Sequence, residues 1–255
     1  MLKQVIGRTL GKVLKPYGYE LYKTSNTSLG AKDAQDEMAV HLKQLFAALE
    51  IDTVLDVGAN YGQYYEFLRN RVEFTGHIHS FEPIPELGAK LVERSASDPK
   101  WHVNQCALGI KTGKAQFHIS DKPGWSSLRE LRRGQSRPTD ELRITQSVEV
   151  DVRSLDDVVG SMKVGNLYLK LDTQGSDLDV LRGGEATLKI VNGLQTELGC
   201  IPCYDGAASP AEVLAFLEAR GFWMTAVHSL WQDDDFRIGE ADAVFRRVKD
   251  DRKGR

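Results

Sequence analysis

The stretch Thr53-Val-Leu-Asp-Val-Gly-Ala-Asn-Tyr-Gly62 decides the fold. Thr53 to Val57 read as a strand, and Gly58-Ala-Asn-Tyr-Gly62 as a tight turn of mostly small residues. Gln63 to Arg71 then read as a helix. Strand, turn and helix form the front half of a nucleotide-binding βαβ unit. Gly58 and Gly62 lack Cβ and let backbone approach a ligand. The unpaired amides at the helix start are expected to receive its polar groups.

A dinucleotide fingerprint needs Gly at 58, 60 and 63, whereas the chain has Gly58, Asn60 and Gln63. That weighs against a nicotinamide oxidoreductase. The pattern present is acid-x-Gly-x-Asn-x-Gly, starting at Asp56. It resembles motif I of class I S-adenosylmethionine methyltransferases, with Asn replacing the middle Gly. The next strand, His77-Ile-His-Ser-Phe, runs into Glu82-Pro83. A carboxylate there accepts two hydroxyl bonds at once, which suits a ribose diol.

Two later blocks narrow the resemblance. Tyr168-Leu-Lys-Leu-Asp-Thr-Gln-Gly175, continuing to Gly184, resembles the K-[IL]-D-x-[EQ]-G-x-[DE]-x-x-V-L-x-G block of the FkbM-family methyltransferases. Gln195-Thr-Glu-Leu198 and Glu240-Ala-Asp-Ala-Val-Phe245 resemble that family's next and last strands. The likeness spans residues 51–247. It implies an α/β, Rossmann-like class I methyltransferase fold: a mostly parallel seven-stranded sheet with an antiparallel last strand and helices on both faces. It also implies S-adenosyl-L-methionine as cofactor, and O-methylation of a hydroxyl on a sugar, glycan, glycolipid or polyketide-type acceptor. Other readings kept in view are N- or C-methylation of a small molecule and a non-catalytic partner subunit that binds the cofactor. Gln174 stands where many relatives carry Glu, which puts a base or metal role there in doubt.

Composition bounds the rest. The chain has 255 residues, 41% hydrophobic and 27% charged, ordinary for a globular domain. A net charge of −3 offers no global field for nucleic acid. No apolar run reaches the roughly 18 residues of a membrane span. Three cysteines point to a reducing, cytoplasmic setting. Cys200-Ile-Pro-Cys203 has no second pair to complete a zinc site and is set aside.

The expected organisation is an N-terminal helical extension (1–50), a methyltransferase domain (51–248) and a charged tail (249–255). Leu2, Val5, Ile6, Leu10, Val13 and Leu14 lie at helical spacing opposite Arg8, Lys12 and Lys15. This helix suits packing on the domain or a second subunit; the alternative is a peripheral contact with the inner membrane face. A second helix is expected over 33–49, and further helices over 85–96, 177–188 and from 209. Strands are expected over 77–81, 101–107, 114–119, 167–172, 193–198, 222–228 and 241–247. Residues 121–147 hold Trp125, Ser126, Ser127, Arg129, Arg132, Arg133, Arg137 and Arg143, and read as a substrate-facing insertion. Its arginines suit a phosphate or carboxylate on the acceptor.

Ligands of a doubly wound sheet sit at the carboxyl ends of its strands. Asp56, Glu82, Asp172 and Glu197 lie at or near such ends. The expected cofactor residues are Asp56, Gly58, Ala59, Asn60, Gly62, Glu82, Pro83, Ala107 and Asp172. Asp56 is expected to orient the loop or reach the methionine ammonium. Asp172 and Glu197 are the candidate bases for a hydroxyl acceptor. Gln174, Trp125, Ser126 and Arg129 are the candidate acceptor contacts. No metal is expected.

Overall fold

The computed structural model describes residues 31–134, 138–233 and 235–248. The chain divides into two compact units, residues 1–37 and 38–255, and the architecture below is that of the second. The apolar segment 2–14, Arg137 and the tail 249–255 lie outside the described residues.

In chain order the strands are β1 (Thr53–Val57), β2 (His77–Phe81), β3 (Trp101–Asn104), β4 (Ala107–Gly109), β5 (Gly113–Ser120), β6 (Ile144–Ser154), β7 (Leu167–Leu171), β8 (Val191–Gly199), β9 (Phe222–Gln232) and β10 (Ile238–Arg247). Seven of them form one sheet in the order β3-β2-β1-β7-β8-β10-β9. The pairings from β3 to β8 are parallel, and β10 lies antiparallel between β8 and β9. From β1 the chain winds outward through β2 and β3, and from β7 it winds the other way. The crevice between β1 and β7 is therefore the topological switch point, where open α/β sheets bind ligands.

Both central strands are buried on both faces, as their near-continuous apolar sequences require. On one face Leu55, Val57, Phe81, Leu169 and Leu171 pack beneath Leu178, Leu181 and Leu217. On the other, Val54, Ile78 and Tyr168 meet helix α1 (Ala31–Leu49) through Met38, Leu42, Leu45 and Phe46. That helical spacing puts all four side chains on one stripe, and burying each contributes about 1.5–3 kcal/mol. Among the described residues no helix is long and apolar enough to cross a membrane.

Several boundaries differ from expectation. The helix after the glycine turn, α2 (Gln63–Phe67), passes into a π-helical turn over Leu68–Val72. The expected strand 101–107 is two strands: at Gln105-Cys106 the chain leaves the main sheet, and β4 joins a small sheet of order β4-β6-β5. Helix α3 (Pro85–Ser95) packs Leu87 against that small sheet. Its Gly88 is accounted for by space, since a Cβ there would lie 2.9 Å from Gln105 Cγ. After the short α4 (Leu155–Val159), α5 covers only Asp177–Arg182. It stops because Gly183 passes against β4: a Cβ there would lie 2.2 Å from the Gly109 carbonyl oxygen. The last helix, α6 (Pro210–Glu218), begins in a full capping box of Ser209 and Glu212.

Candidate active site

Backbone geometry builds the switch-point crevice first. Gly58 and Gly62 have φ of 86° and 83°, and Asn60 has φ 48°, so the turn after β1 is left-handed at three positions. The Gly58 and Ala59 amides both donate to the Phe81 carbonyl, at 3.1 and 3.0 Å. The Asn60 amide donates to Glu82 Oε2 at 2.7 Å, and the Tyr61 amide to Gln63 Oε1 at 3.0 Å. The amides of Gly58, Ala59 and Asn60 thus lock the loop onto the end of β2 and the acid that follows it.

Glu82 is the other half of that lock. Its Oε1 accepts from the Ile84 amide at 2.8 Å, and the residue is 3% exposed. Burial lifts its pKa to about 7, against the pull of the Ile84 and Asn60 amides. A cavity, partly open to solvent, lies against it. Gly58, Asn60, Glu82, Pro83, Ala107, Ser126, Asp172 and Gln174 all line this cavity, as expected for ligand contacts. Phe81, Ile84, Leu108, Phe117 and Leu128 supply an apolar wall that the sequence reading did not name. Phe117 comes from the small sheet, whose placement no local motif announces.

Asp56 lies elsewhere. It alternates with Val57 along β1, so its side chain enters the opposite face and is fully buried. There Oδ2 accepts from Ser80 Oγ at 3.1 Å, and Oδ1 lies 3.3 Å from Lys170 Nζ. The lysine contact is Coulombic, without the alignment of a good hydrogen bond. Asp56 does not line the cavity; its side chain meets Ser80 and Lys170 instead. Burial alone would lower Lys170, but Asp172 and Asp56 outweigh it and hold the ammonium above its usual range. Its ammonium also sits 5.1 Å from the Tyr64 ring centroid. A lysine in the apolar run of β7 was the readable signal for this pair.

Asp172 follows β7 directly, and its amide donates to the Val57 carbonyl at 3.0 Å. Its carboxylate is 39% exposed into the crevice, with Oδ2 3.3 Å from Lys170 Nζ. It does not cap the helix that follows. Asp177 holds that turn, accepting from the Thr173 amide at 2.8 Å. Gln174, at φ 53°, turns back so that Nε2 donates to Asp172 Oδ1 at 2.8 Å and to Glu197 Oε2 at 3.0 Å. Its Oε1 accepts from Tyr204 at 2.7 Å, and its backbone carbonyl accepts from Ser127 Oγ at 2.7 Å. The Tyr204 hydroxyl also lies 3.1 Å from the Trp125 carbonyl.

Other expected contacts are displaced. Ala59 and Gly62 shape the loop without lining the cavity. Trp125 packs its ring against the cluster of Leu131, Leu142 and Tyr204. The Arg129 guanidinium is bound to Asp179 at 2.6 Å and to the Asp205 carbonyl at 3.1 Å, so it is engaged in the fold rather than offered to an acceptor. Glu197 lies behind Gln174 and faces a second cavity. Burial, then Asp172 and Glu240, push its carboxyl well above the usual range. Among the described residues no cluster of three or more metal-ligating side chains occurs.

The profile of the methyltransferase FkbM domain matches residues 56–224, well over half of the chain. The chain belongs to the FkbM methyltransferase family. As an FkbM-family protein it is an S-adenosylmethionine-dependent methyltransferase. It is similar to the 2-O-methyltransferase NoeI of Sinorhizobium fredii, 26% identical over 198 residues, covering 74% of this chain and 80% of that protein. It also resembles the hexuronic acid methyltransferase AglP of Haloferax volcanii, 24% identical over 209 residues, covering 82% and 78%. Its fold resembles the crystal structure of methyltransferase FkbM from Methylobacillus flagellatus, with a TM-score of 0.50 and 15% identity. That match covers 76% of this chain and 43% of the other, so the chain spans less than half of that structure. The FkbM-family cavity fits the cofactor by its donor set. It joins a buried carboxylate for a diol, an apolar slot for a base and the Asn60 Oδ1, which is buried without a partner.

Proposed function

We propose that this methyltransferase acts on a hydroxyl oxygen of a sugar or similarly polyhydroxylated acceptor, with Asp172 as the base. The observation that carries the reading is the Asp172 carboxylate. It is partly exposed in the crevice, and Gln174 and Lys170 fix its two oxygens. A hydroxyl must lose its proton as it attacks, and a positioned carboxylate within hydrogen-bond reach is the group that takes it. The similarity to a 2-O-methyltransferase and to a hexuronic acid methyltransferase supports an oxygen acceptor on a sugar.

When bound, S-adenosylmethionine supplies a methyl group activated by its sulfonium. The protein's part is position and electrostatics. Glu82 accepts the ribose hydroxyls, Ile84, Ala107, Leu108 and Phe117 flank the adenine, and Asn60 takes a donor from the amino-acid end. Asp172 orients the acceptor hydroxyl and receives its proton. The domain is taken to run over 51–248 with 1–50 as an extension. A cytoplasmic setting suits its three unpaired cysteines.

The test is transfer of a labelled methyl group to a panel of glycosides, aromatic phenols and primary amines, by wild type and Asp172→Asn. Methyl ethers formed on glycosides by wild type, with the variant slowed about 10²–10⁴-fold, support the proposal. Label on nitrogen, or an unslowed variant, overturns it.

A further inference from the structure

A second cavity, partly open to solvent, lies beside the first. Glu197, Glu240, Asp177, Arg132 and Tyr204 contribute to its lining. One side chain separates the two spaces. The Gln174 amide donates to Asp172, which lines the first cavity, and to Glu197, which lines the second. Tyr204 completes the partition by donating to Gln174 Oε1.

We infer that this second cavity is the acceptor subsite, that it takes a neutral polyhydroxylated ring, and that Gln174 is the partition across which the reacting hydroxyl reaches Asp172. The inference rests on the methyltransferase reading above and names where its acceptor sits.

Three observations carry it. The cavity meets the candidate base through one side chain, since Gln174 donates to Asp172 on one side and to Glu197 on the other. Two carboxyls, Glu197 and Glu240, face it from adjacent strands, in register around the Asp242–Glu197 pair. Glu240 is 6% exposed and its Oε2 accepts from Trp231 Nε1 at 2.8 Å; Glu197 Oε2 accepts from Gln174 Nε2. Burial raises both carboxyls, and Asp172 raises each of them further. Carboxyl oxygens accept hydrogen bonds from hydroxyls. A strongly anionic acceptor has only Arg132, already 3.8 Å from Asp205, to meet it.

Gly199 gives the means to test this separately from the cofactor site. It lines the second cavity, and a Cβ built on it meets nothing within 4 Å. Gly199→Leu therefore fills the space without a backbone clash. Saturation-transfer NMR would be recorded with S-adenosylhomocysteine present, using methyl glycosides of neutral hexoses, the matching uronic acids and primary amines as probes. The expected result is binding of neutral glycosides to wild type, loss of at least tenfold in Gly199→Leu, and S-adenosylhomocysteine affinity within twofold in both. Glu240→Gln serves as a second variant, with glycoside binding weakened and cofactor affinity unchanged. Glycosides binding equally to Gly199→Leu would overturn the location. Amines or uronic acids binding in preference, or no glycoside binding to wild type, would overturn the class. Failure of wild type to bind S-adenosylhomocysteine would instead sink the cofactor assignment of the first cavity.

Discussion

A Cβ placed on Gly58 would lie 1.9 Å from the carbonyl oxygen of Asp172. The first residue of the cofactor turn and the candidate base are thus packed backbone to backbone, with no room for a side chain between them.

Gly58→Ala is expected to separate them. The substitution adds a methyl group where carbonyl already stands, at φ 86°, which L side chains avoid. Backbone strain of this kind costs about 1–3 kcal/mol before the clash is counted. Urea denaturation should show a loss at least that large, and S-adenosylhomocysteine titration a fall in affinity of more than tenfold. A variant that melts and binds like wild type would show the turn to be free of Asp172.

With Glu82 as the proposed diol acceptor, cofactor binding is expected to depend on pH. Its folded pKa of about 7 lies above the ordinary carboxyl value. Its contribution to folding is therefore fully present below the ordinary value and is lost as pH rises through 7. Binding runs the other way, because an ionised carboxylate is the stronger acceptor for two hydroxyls. S-adenosylhomocysteine affinity should rise between pH 6 and 8, measured calorimetrically. In Glu82→Ala it should be weak and flat over that range. A pH-independent wild type would remove the diol role.

Lys170→Met should be among the most damaging single changes. It strands the fully buried Asp56 and leaves Asp172 with Gln174 alone. Breaking a buried pair from one side costs about 3–5 kcal/mol. The ammonium is held above its usual range, so its contribution is complete at neutral pH and is lost only as pH rises through that raised value. Thermal melts at pH 7 would show the loss. Lys170→Met with Asp56→Asn should recover part of it, because the stranded charge is then gone.

Tyr204→Phe removes the donor on Gln174 Oε1 and should leave cofactor affinity unchanged. With Gln174 free to turn, Asp172 loses a fixed partner. Steady-state assays on a glycoside acceptor should show kcat falling about tenfold, the order expected when positioning is relaxed. An equal fall in S-adenosylhomocysteine affinity would place Tyr204 in the cofactor site instead.

The sequence carried the sheet and the cofactor end of the site because both are local. Thr53–Val57 and His77–Phe81 are strands within the expected limits, and Glu82 follows the second directly. What it did not carry depends on alternation and on distant packing. Asp56 was read by its place in a motif, yet period-two geometry turns it away from Gly58's ligand and toward Lys170. Arg129 was read as available, but its partner Asp179 is 50 residues away. Tyr204 has no motif around it, and only the fold brings it to Gln174.

The Tyr204 hydroxyl lies within reach of two carbonyl oxygens, Gln174 Oε1 and the Trp125 backbone. A phenol has a single proton, so it serves one of them at a time. The Tyr204 link between the arginine-bearing insertion and the turn that carries Asp172 is thus an exchange, set beside the Ser127 bond to the Gln174 carbonyl. If an arriving acceptor draws Gln174 away, the hydroxyl has a second address waiting on the insertion, and filling the pocket tightens the wall beside it.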